Sequence, residues 1–585
     1  MKKSFFYALA GLAIGAIVVI QPGCRKAGSF LDQKVSTALN EQNVFADSAR
    51  TMDYLAGVYE GLYYWVNTGS PNGQNGPWNE MTDVASTRWP GGHNIPNQVF
   101  TGTFGQPFYD HIDAMWEHFF TRIRQCNLFL KNVRTDHTPF SARLTQRTRA
   151  EARFLRAYHY FLLMKGWGGV PIVGDTVYSL SAEAHAGRQS YAKCVDYVVA
   201  ELDDIAADLP LSYNGLDYGR VTRGACLALK AKLLLFAASP LYNGGSTATD
   251  PAVIPLTAYP DYDADRWAKA QQAAEDVIDL GIYQLNTDNE TKPGYGFYDV
   301  FLQRVNTEYI LGEMEGPNRT AESNSLPRSR GGQYRRYPTQ ELVDAFPMAN
   351  GLPIDNQGSG YDPMNPYNNR DPRLGYTVIY NGALYFDAKK HSMEPVWTYK
   401  GASPDGLKDV TANTGTNTGY YTRKMCDVLV NGSSGAQTNR CLPVIRYAEI
   451  LLDLAEAANE IGHTGQAMQQ LIALRKRAGI VPGANGRYGL PAQPSKAEAR
   501  ALIHNERMIE LAFEGHRFWD LRRWKAGDLL DGKYMHGMEI TQAQGQFAYK
   551  RIETRTRYFQ PLLYYFPIPR NEVAIDTALL QNPGW

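Results

Sequence analysis

The sequence predicts an all-α fold of stacked helical hairpins, interrupted by a long, irregular, loop-rich insertion with small β-hairpins. Two observations carry that reading. Apolar residues recur at helical spacing in segment after segment, whereas between Asn286 and Pro443 the texture shifts to Gly, Asn, Pro and Tyr with short β-like runs such as Tyr376 to Tyr380. A stretch of that length is too long for a plain loop and is expected to pack on the helices as a subdomain.

The elements follow in order. Ile112, Trp116, Phe119, Ile123, Leu130 and Val133 mark one helix; Phe154, Tyr158, Phe161 and Leu162 mark a second, closed by Gly166 and Gly168-Gly169. A third runs through Cys194, Val195, Val198, Leu202, Ile205 and Leu209 to Pro210, and a fourth from Thr222 to Ser239 sets Ala225, Ala228 and Ala231 among leucines. Trp267 to Leu280 ends at Gly281, Tyr447 to Ile461 at Gly462, and Gln466 to Ala478 at Gly479. Ser495 and Glu498 form a capping box that opens a helix carrying Leu502, Ile503, Ile509 and Phe513. The helices flanking Gly462 to Gly465 make a hairpin about the size of a tetratricopeptide unit, as do the third and fourth helices. The expected organisation is a leader at 1–23, an N-terminal part of the helical fold at 24–285, the insertion at 286–443 and a C-terminal part at 444–585 that completes the same fold.

Charge excludes some functions. The 59 Lys and Arg residues balance 59 Asp and Glu, so nothing supplies the positive excess that nucleic-acid binding needs. With 44% hydrophobic residues the chain has ample material for a core, which excludes wholesale disorder. Lys2 and Lys3 precede an apolar run from Phe5 to Ile20, short for a membrane span but fitting the h-region of a secretory signal. Gly23 stands directly before Cys24, which resembles the lipobox of bacterial lipoproteins, although Gln21 and Pro22 depart from its usual residues. Cys24 is the expected lipidation site, the alternative being an ordinary signal peptide with a chance cysteine near the cut.

Cys126, Cys194 and Cys226 sit singly in helical patterns and read as small buried hydrophobes. Cys426 and Cys441 flank a Gly/Ser/Asn-rich stretch, and in an exported chain a disulfide between them and two free thiols both stay open. No CxxC spacing points to zinc, and neither a metal nor a cofactor is expected.

The densest charged string runs from Glu506 to Arg523. Glu506, Glu510 and Glu514 could pose as a glycosidase's acid and base, or His504, Glu510 and His516 as metal ligands. Carboxylates on one face of one helix cannot clasp a sugar from both sides, however, and HExxH spacing is absent. A buried ion-pair network with Arg507, Arg517, Arg522 and Arg523 is the expectation, and with it no catalytic residue. Loop aromatics carry more functional information. Trp78, Trp89, Tyr295, Tyr334 and Trp397 fall among Gly, Pro and Asn, and a flat ring stacks on the apolar face of a sugar while groups such as Asp83, Arg88 and Asn94 hold its hydroxyls. These eight residues are the candidate ligand site; for each ring the competing role is a local loop core.

Specific strings add a resemblance. Arg153 to Phe161 with Gly168-Gly169-Val170-Pro171, Arg220 to Ala225, Ala237 to Tyr242, Pro338 to Phe346 and Asp371 to Leu374 resemble the SusD/RagB family of outer-membrane lipoproteins. So do Arg446 to Leu452, Ala455 to Ala457, Glu506-Arg507, the run Glu510 to Trp524, Pro567 to Pro569, Asn571-Glu572 and Gln581 to Trp585. The resemblance implies tetratricopeptide-like hairpins bearing a ligand-binding loop region, and a protein lipid-anchored at the outer membrane and facing outward. It implies an oligosaccharide ligand, or in some members a peptide, passed to a SusC-like TonB-dependent transporter. The alternatives are an exported hydrolase and a periplasmic helical-repeat scaffold that binds only proteins.

Overall fold

The computed structural model describes residues 40–60, 62, 77–87, 95–134, 138–178, 186–333, 336–408, 415–430 and 435–585. The leader and Cys24 lie outside them. The longer helices are α1 (Ser48–Tyr59), α2 (Gln106–Asn132), α3 (Ala142–Trp167), α4 (Tyr191–Ala206), α5 (Arg223–Ala238), α6 (Asp265–Ile278), α7 (Tyr447–Glu460), α8 (Thr464–Arg477), α9 (Lys496–Glu510) and α10 (His516–Arg523). The predicted helices are all present, and the starts are chemically marked. Ser141, Ser190 and Thr222 accept from the backbone N–H three residues on, and Ser495 with Glu498 forms the full capping box.

Helices adjacent in this series pack in a continuous row, α2 on α3, α3 on α4, α4 on α5, α5 on α6, α6 on α7, and α7 on α8 and α9. Small buried residues at the contacts, Ala225, Ala228 and Ala231 on α5, Ala270, Ala273 and Ala274 on α6, and Ala448, Ala455 and Ala458 on α7, let the axes approach. At the end of α3, Gly168 has a φ of 79°, and a Cβ there would lie 2.7 Å from the carbonyl oxygen of Leu256. Arg188 and Asn582 donate to the Trp167 carbonyl at 2.7 and 3.1 Å, so the C-terminal tail closes over this end of the core. No helix of the described residues is long and apolar enough to cross a membrane.

Among the described residues the strands form five two-stranded antiparallel ladders: β1 (Ala85–Thr87) with β3 (Arg336–Pro338), β2 (Tyr309–Asn318) with β8 (Thr438–Arg446), β4 (Val378–Ile379) with β7 (Tyr421–Thr422), β5 (Ala383–Asp387) with β6 (Ser392–Val396), and β9 (Tyr534–Ala543) with β10 (Gln546–Thr556). The run Tyr376 to Tyr380 is strand only at β4, following a short helix, Pro372–Thr377. Cys426 and Cys441 are both free and buried, and they pack in different hydrophobic clusters, which excludes the disulfide from this conformation.

The charged string is built differently from its sequence reading. α9 stops at Glu510 and α10 begins at His516, with Phe513 at a φ of 63° between them, so Phe513 and Glu514 lie beyond the helix that carries Glu506 and Glu510. A network forms nonetheless, around other cations. Glu510 accepts from Arg446 at 2.8 Å, from Arg373 at 2.9 Å and from Arg477; Glu514 accepts from Arg446 at 2.6 and 2.7 Å and from Lys424 at 2.7 Å. Glu506 holds Arg373 at 2.7 Å and Arg475 at 3.1 Å, Glu308 holds Arg477 at 2.7 Å, and Asp371 holds Arg373 at 2.8 Å. The acids Glu308, Asp371, Glu506, Glu510 and Glu514 thus balance the bases Arg373, Lys424, Arg446, Arg475 and Arg477, all buried. Of the arginines the sequence nominated, Arg507 pairs with Asp453 and Asp520, Arg523 with Glu456 and Asp520, Arg517 with Asp83, and Arg522 with no carboxylate among the described residues.

Burial opposes ionisation of Glu510, but Arg477, Arg446 and Arg373 outweigh it and hold its carboxyl far below the usual range. Replacing Glu510 with Ala leaves three arginines short of an acceptor and is expected to cost about 3 kcal/mol or more of stability by denaturant titration; an unchanged unfolding midpoint would refute the network's role. Asp520 is likewise held down to about 2 by Arg507 and Arg523 against the effect of burial. A depressed folded-state pKa contributes stability above the unfolded value and loses it as pH falls. Unfolding free energy is therefore expected to drop as pH falls from about 4 towards about 2, and thermal melts across that window check it.

Candidate functional site

Of the eight nominated residues, Trp78, Asp83, Tyr295 and Trp397 are described, whereas Arg88, Trp89, Asn94 and Tyr334 lie outside the described residues. Trp78 is 1% exposed: its indole stacks on Phe518 at 4.6 Å and on Phe566 at 5.6 Å and tilts against Trp519 at 5.3 Å. This is a core position, and no face is left for a sugar. Asp83 is also buried and spends both carboxylate oxygens on Arg517, at 2.8 and 2.7 Å, the guanidinium keeping its carboxyl ionised despite burial. The two residues clamp the 77–87 segment onto α10. What looked like a ligand-binding pair in sequence is an internal fastening of this segment.

That fastening has a destination. β1 ends at Thr87, paired with Arg336 at the start of β3. Asn417 donates its amide to the Thr87 carbonyl and to Ser86 Oγ, both at 3.3 Å. Segment 415–420 then acts as a rack. Lys408 donates to the Thr416 carbonyl at 2.9 Å, Leu407 to that of Thr398 at 3.0 Å, and Met538 in β9 to that of Thr418 at 2.8 Å. Trp397, next to Thr398, is thereby tied through hydrogen-bonded backbone to the β1–β3 ladder.

Trp397 differs from Trp78. It is 40% exposed, and its ring lies on Phe547 at 5.4 Å and 27°, with Tyr399 completing the cluster at 6.2 Å from Trp397 and 5.7 Å from Phe547. Gly382 sits beneath the indole edge, where a Cβ would come within 3.5 Å of the ring. The ridge continues through Tyr549 to Tyr367 at 5.7 Å and from Tyr367 to Tyr380 at 4.3 Å. The buried Asn381 accepts from the Thr398 N–H at 3.0 Å and fixes the backbone beside Trp397 from within, while Lys400, after Tyr399, pairs with Glu539 at 3.2 Å. Sequence reasoning passed over Phe547 and Tyr549, whose i, i+2 spacing in β10 places both on one face of the hairpin. Tyr295 belongs to a different group. It is half-buried against Tyr298 at 5.9 Å, which stacks on Tyr376 at 5.2 Å with Arg423 alongside. Among the described residues no group of His, Cys, Asp and Glu is placed to hold a metal ion.

Residues 302–585 match the SusD family model, and residues 29–235 match a second model described as starch-binding associating with outer membrane. SusD-like protein P2 of Formosa agariphila is 32% identical over 156 residues, 26% of this chain and 28% of that one; SusD-like protein P25 of the same organism is 22% identical over 80% of this chain and 78% of that one. The chain thus spans little more than a quarter of P2's length but over three quarters of P25's. In shape it is similar to a SusD-like carbohydrate binding protein of Bacteroides fragilis, with a TM-score of 0.70 and 24% identity over 92% of this chain and 100% of that one, a likeness of fold. With both halves matched and the fold shared, the chain belongs to the SusD/RagB family.

Proposed function

We propose that this protein is a non-catalytic, cell-surface lipoprotein that captures oligosaccharides and hands them to a SusC-like TonB-dependent transporter in the outer membrane. The observation that carries the reading is the half-exposed Trp397, backed by Phe547 and Tyr399, with the Lys400–Glu539 pair directly after Tyr399. An aromatic face with a cation and a carboxylate nearby suits the alternating apolar and hydroxyl faces of a sugar. Family membership and the carbohydrate-binding relative support the same ligand class. Trp89, Asn94 and Arg88, one to seven residues past the β1 end, and Tyr334, two before β3, supply the rest of the platform in this reading. Tyr295 is left as a peripheral contact. Lipidation of Cys24 anchors the chain, since each buried methylene adds roughly 0.8 kcal/mol and more than one acyl chain makes attachment stable.

Calorimetric titration against a glycan panel tests the site. Trp397→Ala is expected to weaken binding of the preferred glycan by roughly 1 kcal/mol, about fivefold, with an unchanged melting temperature; equal affinity in Trp397→Ala and Trp89→Ala would place the platform elsewhere. Trp78→Ala has the opposite signature. It opens a cavity among Phe518, Trp519 and Phe566 and should cost about 3 to 5 kcal/mol of stability by denaturant titration. Cys24→Ala is expected to release the protein from membranes into the soluble fraction on fractionation, and retention in the membrane would count against the anchor.

A further inference from the structure

Aliphatic side chains left in water collect at one end of the helical row. Leu211 and Leu216 lie in the loop between α4 and α5, Ile282 in the turn after α6, and Val305 on the approach to β2. Leu216 is fully exposed, Val305 59%, Leu211 42% and Ile282 38%. The three segments form one surface. Asn306 donates its backbone N–H to Tyr218 Oη at 3.4 Å, Gln284 and Thr307 exchange hydrogen bonds at 3.2 and 3.0 Å, and Leu211, Ile282 and Asn306 line the same cavity of about 170 Å³. Single exposed aliphatics need no account, but four on interlocked loops mark a contact surface.

Charge is not what this surface offers. Asp217, beside Leu216, is held by Arg220 at 2.7 Å and by Arg147 at 3.5 Å, and Asp208 accepts from Gln146 at 2.7 Å. Arg304 next to Val305 and Asp279 near Ile282 are both exposed and opposite in sign. The attraction is therefore apolar. Leu216 stands on a single 3₁₀ turn, Gly215–Asp217, so the side chains project from loop tips and form no cleft of the kind that takes a helix. Projecting aliphatic tips suit a fluid, apolar partner.

Where the chain joins the scaffold names that partner. The described residues begin at Asn40, and Glu41 accepts from Asn132 Nδ2 at 2.6 Å and meets Lys131 at 3.6 Å, at the last turn of α2. Near the start of α3, Arg149 donates to the Val133 carbonyl at 2.8 Å, while Gln146 and Arg147 reach Asp208 and Asp217, which bracket Leu211 and Leu216. The first described residues and the aliphatic tips thus share one end of the row, about two helix spacings or roughly 20 Å apart. The 16 residue steps from Cys24 to Asn40 span at most about 55 Å. We propose that Leu211, Leu216, Ile282 and Val305 form a lipid-contacting face that seats this end of the protein on the bilayer, an inference that rests on the Cys24 anchor for the identity of its partner. A leash alone leaves the protein free to tumble. The tether keeps the tips at high local lipid concentration, so a contact that is weak in free solution suffices to fix which end faces the membrane.

Phosphatidylcholine vesicles test the face on mature Cys24→Ala protein, to which no lipid is attached. Its five other cysteines are buried, so Leu216→Cys adds one reactive thiol for an environment-sensitive fluorophore. Vesicles are expected to shift its emission to the blue and to quench it when they carry a bilayer-embedded quencher, with little effect of high salt because no charge drives the contact. The same label on the exposed Tyr262→Cys, at the opposite end of α6, is expected to stay in water. Vesicle partition of the unlabelled chain should fall by about tenfold for each of Leu216→Ser and Val305→Ser, with an unchanged melting temperature. A label at position 216 that reports water with and without vesicles, or partition untouched by both serines, would overturn the face. A blue shift with detergent-solubilised outer-membrane protein and none with vesicles would overturn it too, and would assign the patch to a protein partner. Because the tested chain carries no lipid, these outcomes are read separately from the fractionation that tests Cys24 as the anchor.

Discussion

The buried ion lock around Glu510 is the constraint on which the architecture turns. Its cations come from the insertion (Arg373, Lys424), from the junction of β8 with α7 (Arg446) and from α8 (Arg475, Arg477), and its acids from α9, the turn beyond it, and two insertion segments. Packing alone tolerates sliding of apolar faces, whereas charges removed from water hold only in the geometry that pairs every one of them. The lock therefore sets the position of the irregular insertion relative to the helices more sharply than hydrophobic contact does. Everything the insertion presents to solvent, the Trp397 ridge included, inherits that position.

A second theme is the division of labour among aromatic residues. Trp78, Phe518, Trp519 and Phe566 are spent inside, fastening the 77–87 segment to α10, while Phe547 and Tyr549 stand on the β9–β10 pair and back Trp397 and Tyr367, with Trp397 left 40% exposed. The same residue types do both jobs. What separates them is the backbone beneath, a helix end folded into the core in one case and a hairpin edge in the other.

This explains which parts of the molecule were legible in sequence. Helices with an apolar stripe and a chemical start signal, such as the one opened by Ser495 and Glu498, were readable because the signal and the element lie within a few residues of each other. The ion network was readable as a fact but not in its pairing: Glu510 lies next to Arg507 in sequence yet bonds Arg373, Arg446 and Arg477, brought in by tertiary structure. Trp78 and Trp397 looked alike because both stand among loop residues, and only the arrival of α10 from more than 400 residues away in the chain buries the first. Phe547 carried a period-two signal in its own strand but no sign that Trp397 would settle on it. Local chemistry is written locally; a site assembled from distant segments is not.

The neck of the insertion carries one more consequence. β2 and β8 pair from Tyr309 to Arg446, the Tyr447 N–H donates to the Glu308 carbonyl at 2.8 Å, and Glu308 and Arg446 enter the ion lock at that point. The chain between them leaves and re-enters the scaffold through a closed gate. Once its ends are pinned, doubling the length of a flexible loop costs only about 0.6 kcal/mol in closure entropy. Loop segments between the gateposts that carry none of the lock's residues can lengthen, shorten or be exchanged at small cost to the helical row, whereas those bearing Asp371, Arg373 and Lys424 stay fixed, so the insertion is a variable surface on an invariant frame.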